Sequence, residues 1–259
     1  MNPAYIMTLV IMCVAYGSCI FLMKYIRRVK LFNFIFGCMV YIPYVALCYV
    51  VYSDVGFYDW NFQNTLPVAN VSPFMFSIIP ILLFLPKKVK SYVYLLISLL
   101  SVGMLFSSIL GCIYNASINY AFHFHFLLDY LSHFSLSLFG IYLIRTKQVD
   151  FNLKNCVISS SIILGSATVM LILNLIFDTA FFGLSLRGKH NIYNNVIVDN
   201  SFLSALIYYL GLIVVLILGF FLCKIFNKDR FDLSKNAQSV KNMIYYEEKI
   251  CIAKNAENK

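Results

Sequence analysis

The chain has 259 residues, of which 61% are hydrophobic and only 12% charged. Soluble domains carry about 25% charged residues, so the composition excludes an ordinary soluble domain and indicates a multi-span membrane protein. The net charge of +9 falls in short blocks between apolar runs, the pattern of a topology signal rather than of a groove for nucleic-acid phosphates, and no nucleic-acid partner is expected.

A helix needs roughly 17–25 apolar residues to cross about 30 Å of hydrocarbon. Seven segments meet that length: 4–23, 31–52, 69–85, 91–113, 122–144, 156–178 and 201–226. The first has no basic residue before it and no evident cleavage motif, so it is expected to stay as a span rather than leave as a signal peptide. Of the twenty Lys and Arg, eighteen follow spans one, three, five and seven, and only Arg187 and Lys189 fall on the other side. The positive-inside rule then puts the N-terminus outside and the C-terminus in the cytoplasm. The expected fold is all-α, a multi-pass bundle of seven transmembrane helices over 1–226 in the cell membrane. The polar tail 227–259 is either flexible or a surface helix with a stripe of Val240, Ile244 and Cys251.

Individual spans carry finer signals. The third contains Pro73 and Pro80 between Pro67 and Pro86. Pro73 suits a first turn, whereas Pro80 removes a donor and frees the carbonyl of Phe76, which predicts a kink. The fourth carries Gly103, Ser107 and Gly111, a small-xxx-small run that reads as a helix-packing seam. The eight cysteines are scattered singly with no CxxC pair, which argues against a disulfide scaffold and a Cys-based zinc site.

The fifth span concentrates the chemistry. His123, His125 and His133 are three of the four histidines in the chain, and Asp129 lies among them. His125, Asp129 and His133 are spaced i, i+4, i+8 and share one helical face. Ionisable groups within a span are costly and mark a functional site by default. Asp129 is placed to orient His133, whose imidazole is then expected to serve as general base or acid. On residues alone, a proton relay, a metal site and plain interhelical hydrogen bonding stay open beside that reading. A metal is the weakest of these, because no second cluster supplies the remaining ligands, and no cofactor is expected.

Polar partners gather toward the same outer side: Asn70 and Ser72 at the start of the third span, and Asn115 and Asn119 after the fourth. Asn174 and Asp178 end the sixth, and Ser201, Ser204 and Tyr208 begin the seventh. The inner halves of the spans are nearly pure Leu, Ile, Val and Phe. The expected architecture is an outward-facing polar pocket closed beneath by apolar packing. No Walker loop, GxSxG elbow or HExxH motif occurs, and the seventh span lacks a mid-membrane lysine for a retinal Schiff base.

Three stretches resemble the YwaF-like integral membrane proteins and their animal relative, a transmembrane acyltransferase of ether phospholipids. They are Thr65 to Ser72 (TLPVANVS), Asp129 to Ile144 (DYLSHFSLSLFGIYLI), and Asn174 to Leu184 followed by Ser201 to Leu212. The resemblance covers roughly residues 60–225 and implies acyl transfer by a Cys nucleophile shortly after the Leu-Pro, paired with the His. Here those positions read Val71 and Ser72, and the family's tryptophan-rich late ending is missing. Ser72 takes the nucleophile's place only if a base lies within hydrogen-bond reach, since a free hydroxyl is a poor nucleophile.

The resulting expectation is acyl transfer on a membrane lipid, with His133, Asp129 and Ser72 catalytic and Asn70, His125, Asn174 and Asp178 binding substrate. The alternatives are a small-solute or proton-coupled transporter or binding protein, and a relative that keeps the fold without the chemistry.

Overall fold

The structure, a computed structural model, describes residues 2–26, 28–53, 70–82, 84–117, 122–177, 182 and 201–228. Within them run α1 (Pro3–Leu22), α2 (Val29–Ser53), α3 (Val71–Ile81), α4 (Lys87–Ser117), α5 (Phe124–Arg145), α6 (Leu153–Phe177) and α7 (Ser201–Lys228), with no strand among the described residues. All but α3 are long and apolar enough to cross a membrane. Large apolar side chains such as Met7, Phe34, Tyr49 and Phe84 cover the outside of the bundle. The chain is thus an all-α, multi-pass membrane bundle. Residues 54–69, most of 178–200 and those from 229 on lie outside the described residues.

The third segment is shorter than expected. Instead of 69–85, the helix occupies the 11 residues Val71–Ile81, about 16 Å at 1.5 Å per residue and roughly half the hydrocarbon thickness. Its start is set by Asn70, whose Oδ1 accepts from Val71 N at 2.8 Å. Pro73 sits in the first turn, where a missing N–H costs nothing. Pro80 removes the donor that Phe76 O would have used, and the helix gives out one residue later. Leu82 N closes that end on Ile78 O and Ile79 O.

Buried bonds fix the basic end of the bundle. Arg145 Nη1 donates to Ile20 O at 3.1 Å, and Tyr142 Oη to Val29 O at 3.2 Å. Asn33 and Gln148 exchange amide hydrogen bonds of 2.6 and 3.0 Å. Lys147 takes a left-handed conformation, φ 54°. This lets Gln148 N reach Leu143 O and Lys147 N reach Ile144 O, the Schellman ending of a helix with lysine at the position glycine usually holds. The ends of α1 and α5 and the start of α2 therefore share one face with Arg28, Lys30 and Lys147.

Helix α5 runs through the middle. Sixteen of its 22 residues are buried, and it packs on α1, α2, α3, α4 and α7. Its spanning stretch has the lowest mean hydropathy among those of the six long helices. This is the order a bilayer demands, because polar groups belong where protein rather than lipid surrounds them. Close approach makes the enclosure tight. A Cβ at Gly140 would stand 2.8 Å from Ile97 O and 3.0 Å from Ser98 Cα, and one at Gly219 of α7 would overlap the carbonyl of Leu99. Three successive residues of α4 are thus gripped from both sides. The expected α4 seam also makes contacts: a Cβ at Gly103 would run into Val215, and one at Gly111 would meet the Tyr130 ring.

Gly140→Val must push α4 away from α5 and is expected to cost about 1–3 kcal/mol, read as a lower thermal midpoint in detergent. Gly165→Val is the control, since a Cβ there meets nothing within 4 Å, and its midpoint is expected to stay within a degree or so of the parent, roughly the reach of a few tenths of a kcal/mol.

Candidate functional site

His133 lies on the enclosed part of α5, 5% exposed. Its Nδ1 is 2.8 Å from the backbone carbonyl of Asp129, one turn earlier, and 3.4 Å from the Asp129 carboxylate. Its Nε2 is 2.8 Å from Ser72 Oγ. Phe76, one turn after Ser72 on α3, sets its ring edge-on to the imidazole at 5.1 Å between centroids. The i, i+4 spacings on two helices therefore hold one imidazole between a carboxylate-bearing turn and a hydroxyl-bearing turn.

The partners determine where the proton sits. A carbonyl oxygen only accepts, so in the neutral ring Nδ1 carries the hydrogen and donates it to Asp129 O. That leaves Nε2 with a lone pair, and Ser72 donates its O–H to it. This is the tautomer a general base needs. Met104 Sδ, 3.7 Å from Ser72 Oγ, is the weaker acceptor and does not compete with an imidazole nitrogen. The Asp129 carboxylate stands beside the ring, where it stabilises an imidazolium once the proton has moved.

Ser72 opens onto a cavity of about 310 Å³. Helix α3 is held mainly by α2 and α5, and the cavity lies between α3, α4 and α7. Asn70, Ser72, Ser107 and Tyr208 give it a polar side, while Leu100, Leu212 and Val215 form its apolar floor. Those three lie nearer the basic ends of α4 and α7 than Ser107 and Tyr208 do, so the floor faces the basic end. Gly211 leaves room by having no side chain, since a Cβ there would meet nothing within 4 Å, and Gly103 lines the cavity beside Val215. Ser72 is the second residue of α3, so its own N–H belongs to the first four donors of a helix, which have no intrahelical acceptor.

Not every expected residue gathers here. Ser72 and Asn70 line the cavity, and His133, with Asp129 behind it, meets Ser72. His125 is buried, but its ring lies against Phe126 at 4.0 Å and His123 at 5.7 Å, and it does not line the cavity. The reason is helical drift: eight residues turn a side chain by about 80°, so the first and last members of the stripe diverge. Asn174 is buried at the end of α6 and does not line the cavity either; Asp178 lies outside the described residues. Among the described residues no three His, Cys, Asp or Glu converge as a metal would require. Phe76, Met104 and the two cavity glycines carried no functional signal in the sequence. The only legible hint was that Phe76 follows Ser72 by four residues.

No family model matches this chain, and no curated protein or solved structure matches it. The chemistry of the site therefore rests on its own geometry.

Removing the hydroxyl in Ser72→Ala leaves a buried imidazole nitrogen unpaired, at an expected cost of about 1–3 kcal/mol. A double-mutant cycle with His133→Phe, followed by unfolding in detergent, is expected to give a coupling of about 1 kcal/mol. Strictly additive losses would mean that the Ser72–His133 bond does not form.

Proposed function

We propose that this chain is a seven-helix membrane acyltransferase of the cell membrane, N-terminus outside and C-terminus cytoplasmic, that moves an acyl chain from a lipid ester through Ser72. One observation carries the reading: Ser72 Oγ lies 2.8 Å from a His133 nitrogen that is free to accept its proton, and the same residue lines a cavity. This meets the condition under which a serine takes the place of the cysteine that the YwaF-like resemblance implies.

The basic end of the bundle marks the cytoplasmic side by the positive-inside rule. Ser72 and His133 then lie in the outer part, His133 about 13 Å along α5 from Phe124 and about 18 Å from Arg145. A cavity with a polar side outward and an apolar floor suits an amphiphile with its head outward and its chain inward. The same floor closes the inward route, so a path for a transported solute has less support.

In the reaction, His133 Nε2 takes the Ser72 proton as Oγ attacks the acyl carbonyl carbon. The Ser72 N–H and Asn70 stand nearest to stabilise the oxyanion. The ester C–O bond breaks, His133 returns the proton to the departing alcohol, and the acyl group rests on Ser72. A second alcohol then repeats the sequence in reverse. Asp129 offsets the positive charge on the ring in both halves.

A fluorophosphonate probe is expected to label Ser72 in proteoliposomes, with acyl exchange between phospholipids as the activity. His133→Ala is expected to slow exchange about 10²–10⁴-fold. Asp129→Asn is expected to cost only about 10–100-fold, because the backbone carbonyl still fixes the tautomer. Robust exchange in Ser72→Ala or His133→Ala would sink the assignment.

A further inference from the structure

A second cavity, of about 470 Å³, lies at the basic end of the bundle and shares no lining residue with the first. Its long wall is a single stripe of α2: residues 30, 33, 34, 37, 38, 41 and 42, whose spacings of three and four put them on one face. From Lys30 to Ile42 that stripe runs about 18 Å at 1.5 Å per residue. The opposite wall is Ile79, Pro80 and Leu82, where α3 gives out, with Phe139 behind and Lys90 and Tyr94 of α4 beside it. Gly37 keeps the groove open. A Cβ there would already touch Ile79 Cγ2 at 3.4 Å, so any longer side chain would occupy the space.

The groove is charged at one end and apolar along the rest. Lys30 and Lys90 both line it, and among the described residues neither has an acidic partner, since the one ion pair joins Asp129 and His133. The one described carboxylate at this end of the bundle, Asp150, accepts from Asn155 Nδ2 at 2.9 Å. Asn33, the amide in the stripe, is paired with Gln148. Two lysines therefore line the groove with no acidic partner among the described residues, in a position where basic pockets between membrane helices take anionic head groups.

We propose that this groove binds one anionic glycerophospholipid, its phosphate between Lys30 and Lys90 and an acyl chain along Gly37, Tyr41 and Pro80. A free phosphate would meet the lysines and leave the apolar length empty. A zwitterionic lipid would fill the length but bring its own cation to the lysines. An anionic lipid satisfies both halves. The assignment does not depend on the chemistry of Ser72.

The test uses the purified full chain in dodecyl maltoside, titrated with dioleoyl phosphatidylglycerol or dioleoyl phosphatidylcholine, with bound lipid counted by native mass spectrometry. One phosphatidylglycerol per chain is expected, preferred about tenfold or more over phosphatidylcholine. Lys30→Ala/Lys90→Ala removes the preference, and Gly37→Leu lowers retention with both lysines in place. Lys87→Ala/Lys88→Ala removes two charges from the same helix end but not from the groove, and keeps the preference. Equal retention of the two lipids overturns the proposal, as does an equal loss in Lys87→Ala/Lys88→Ala. Sodium phosphate that displaces phosphatidylglycerol as readily as added lipid does would reassign the site to free phosphate. In the unaltered chain, N-ethylmaleimide is expected to alkylate Cys38, which lines the groove, more slowly with phosphatidylglycerol than with phosphatidylcholine. Identical rates overturn the lipid site without recourse to any variant.

Discussion

Hydrocarbon offers no hydrogen-bond partner, and most of this bundle follows from how its polar groups meet that constraint. Ser98 Oγ lies 2.9 Å from both Tyr94 O and Gly140 O, sharing its proton between its own helix and α5. Cys223 of α7 donates to Ser98 O at 3.4 Å, and Tyr16 of α1 bonds Ser137 of α5 at 2.8 Å. The last two bonds each tie a peripheral helix to the α4–α5 centre. Glycine at 140 and 219 lets these short side chains reach across. Satisfying polar groups and packing the helices are one task here, because a hydroxyl that loses its neighbour faces only lipid.

Much of the fold was legible because membranes translate length and composition directly into structure. All seven expected segments form helices, with ends shifted by four residues at most. The Asp129–His133 relation followed from four-residue spacing on a helix whose type was not in question. What spacing could not give is the pairing of Ser72 with His133, which are 61 residues apart. That contact depends on where α3 ends and which helices hold it. Two prolines announced a disturbance in α3, but not that the helix would stop at Ile81. His125 shows the opposite error: an i, i+8 relation looks like one face on paper, yet the drift of about 80° carries it to a different cluster.

The imidazole is oriented differently from one in a triad that relies on a carboxylate alone. Here the nearer acceptor of the Nδ1 hydrogen is a backbone carbonyl of the same helix, at 2.8 Å, with the carboxylate at 3.4 Å. A carbonyl in a helix cannot rotate away or take up a proton, so the ring's tautomer is held by secondary structure. The carboxylate is left with the electrostatic role. Orientation and charge compensation, usually joined in one side chain, are divided between two groups of Asp129.

The brevity of α3 has an electrostatic side. A helix that crosses the whole bilayer leaves its positive end in the headgroup region, where water and salt screen it. Starting at Val71, beside His133, α3 brings its first N–H groups to the polar side of the Ser72 cavity, within the bundle. The end of a helix carries roughly half an elementary charge, and in surroundings of low dielectric that charge acts with little attenuation. Ser72 sits in its first turn. A truncated helix thus works as a fixed positive pole inside the membrane, held by backbone geometry, with no buried lysine or arginine to desolvate.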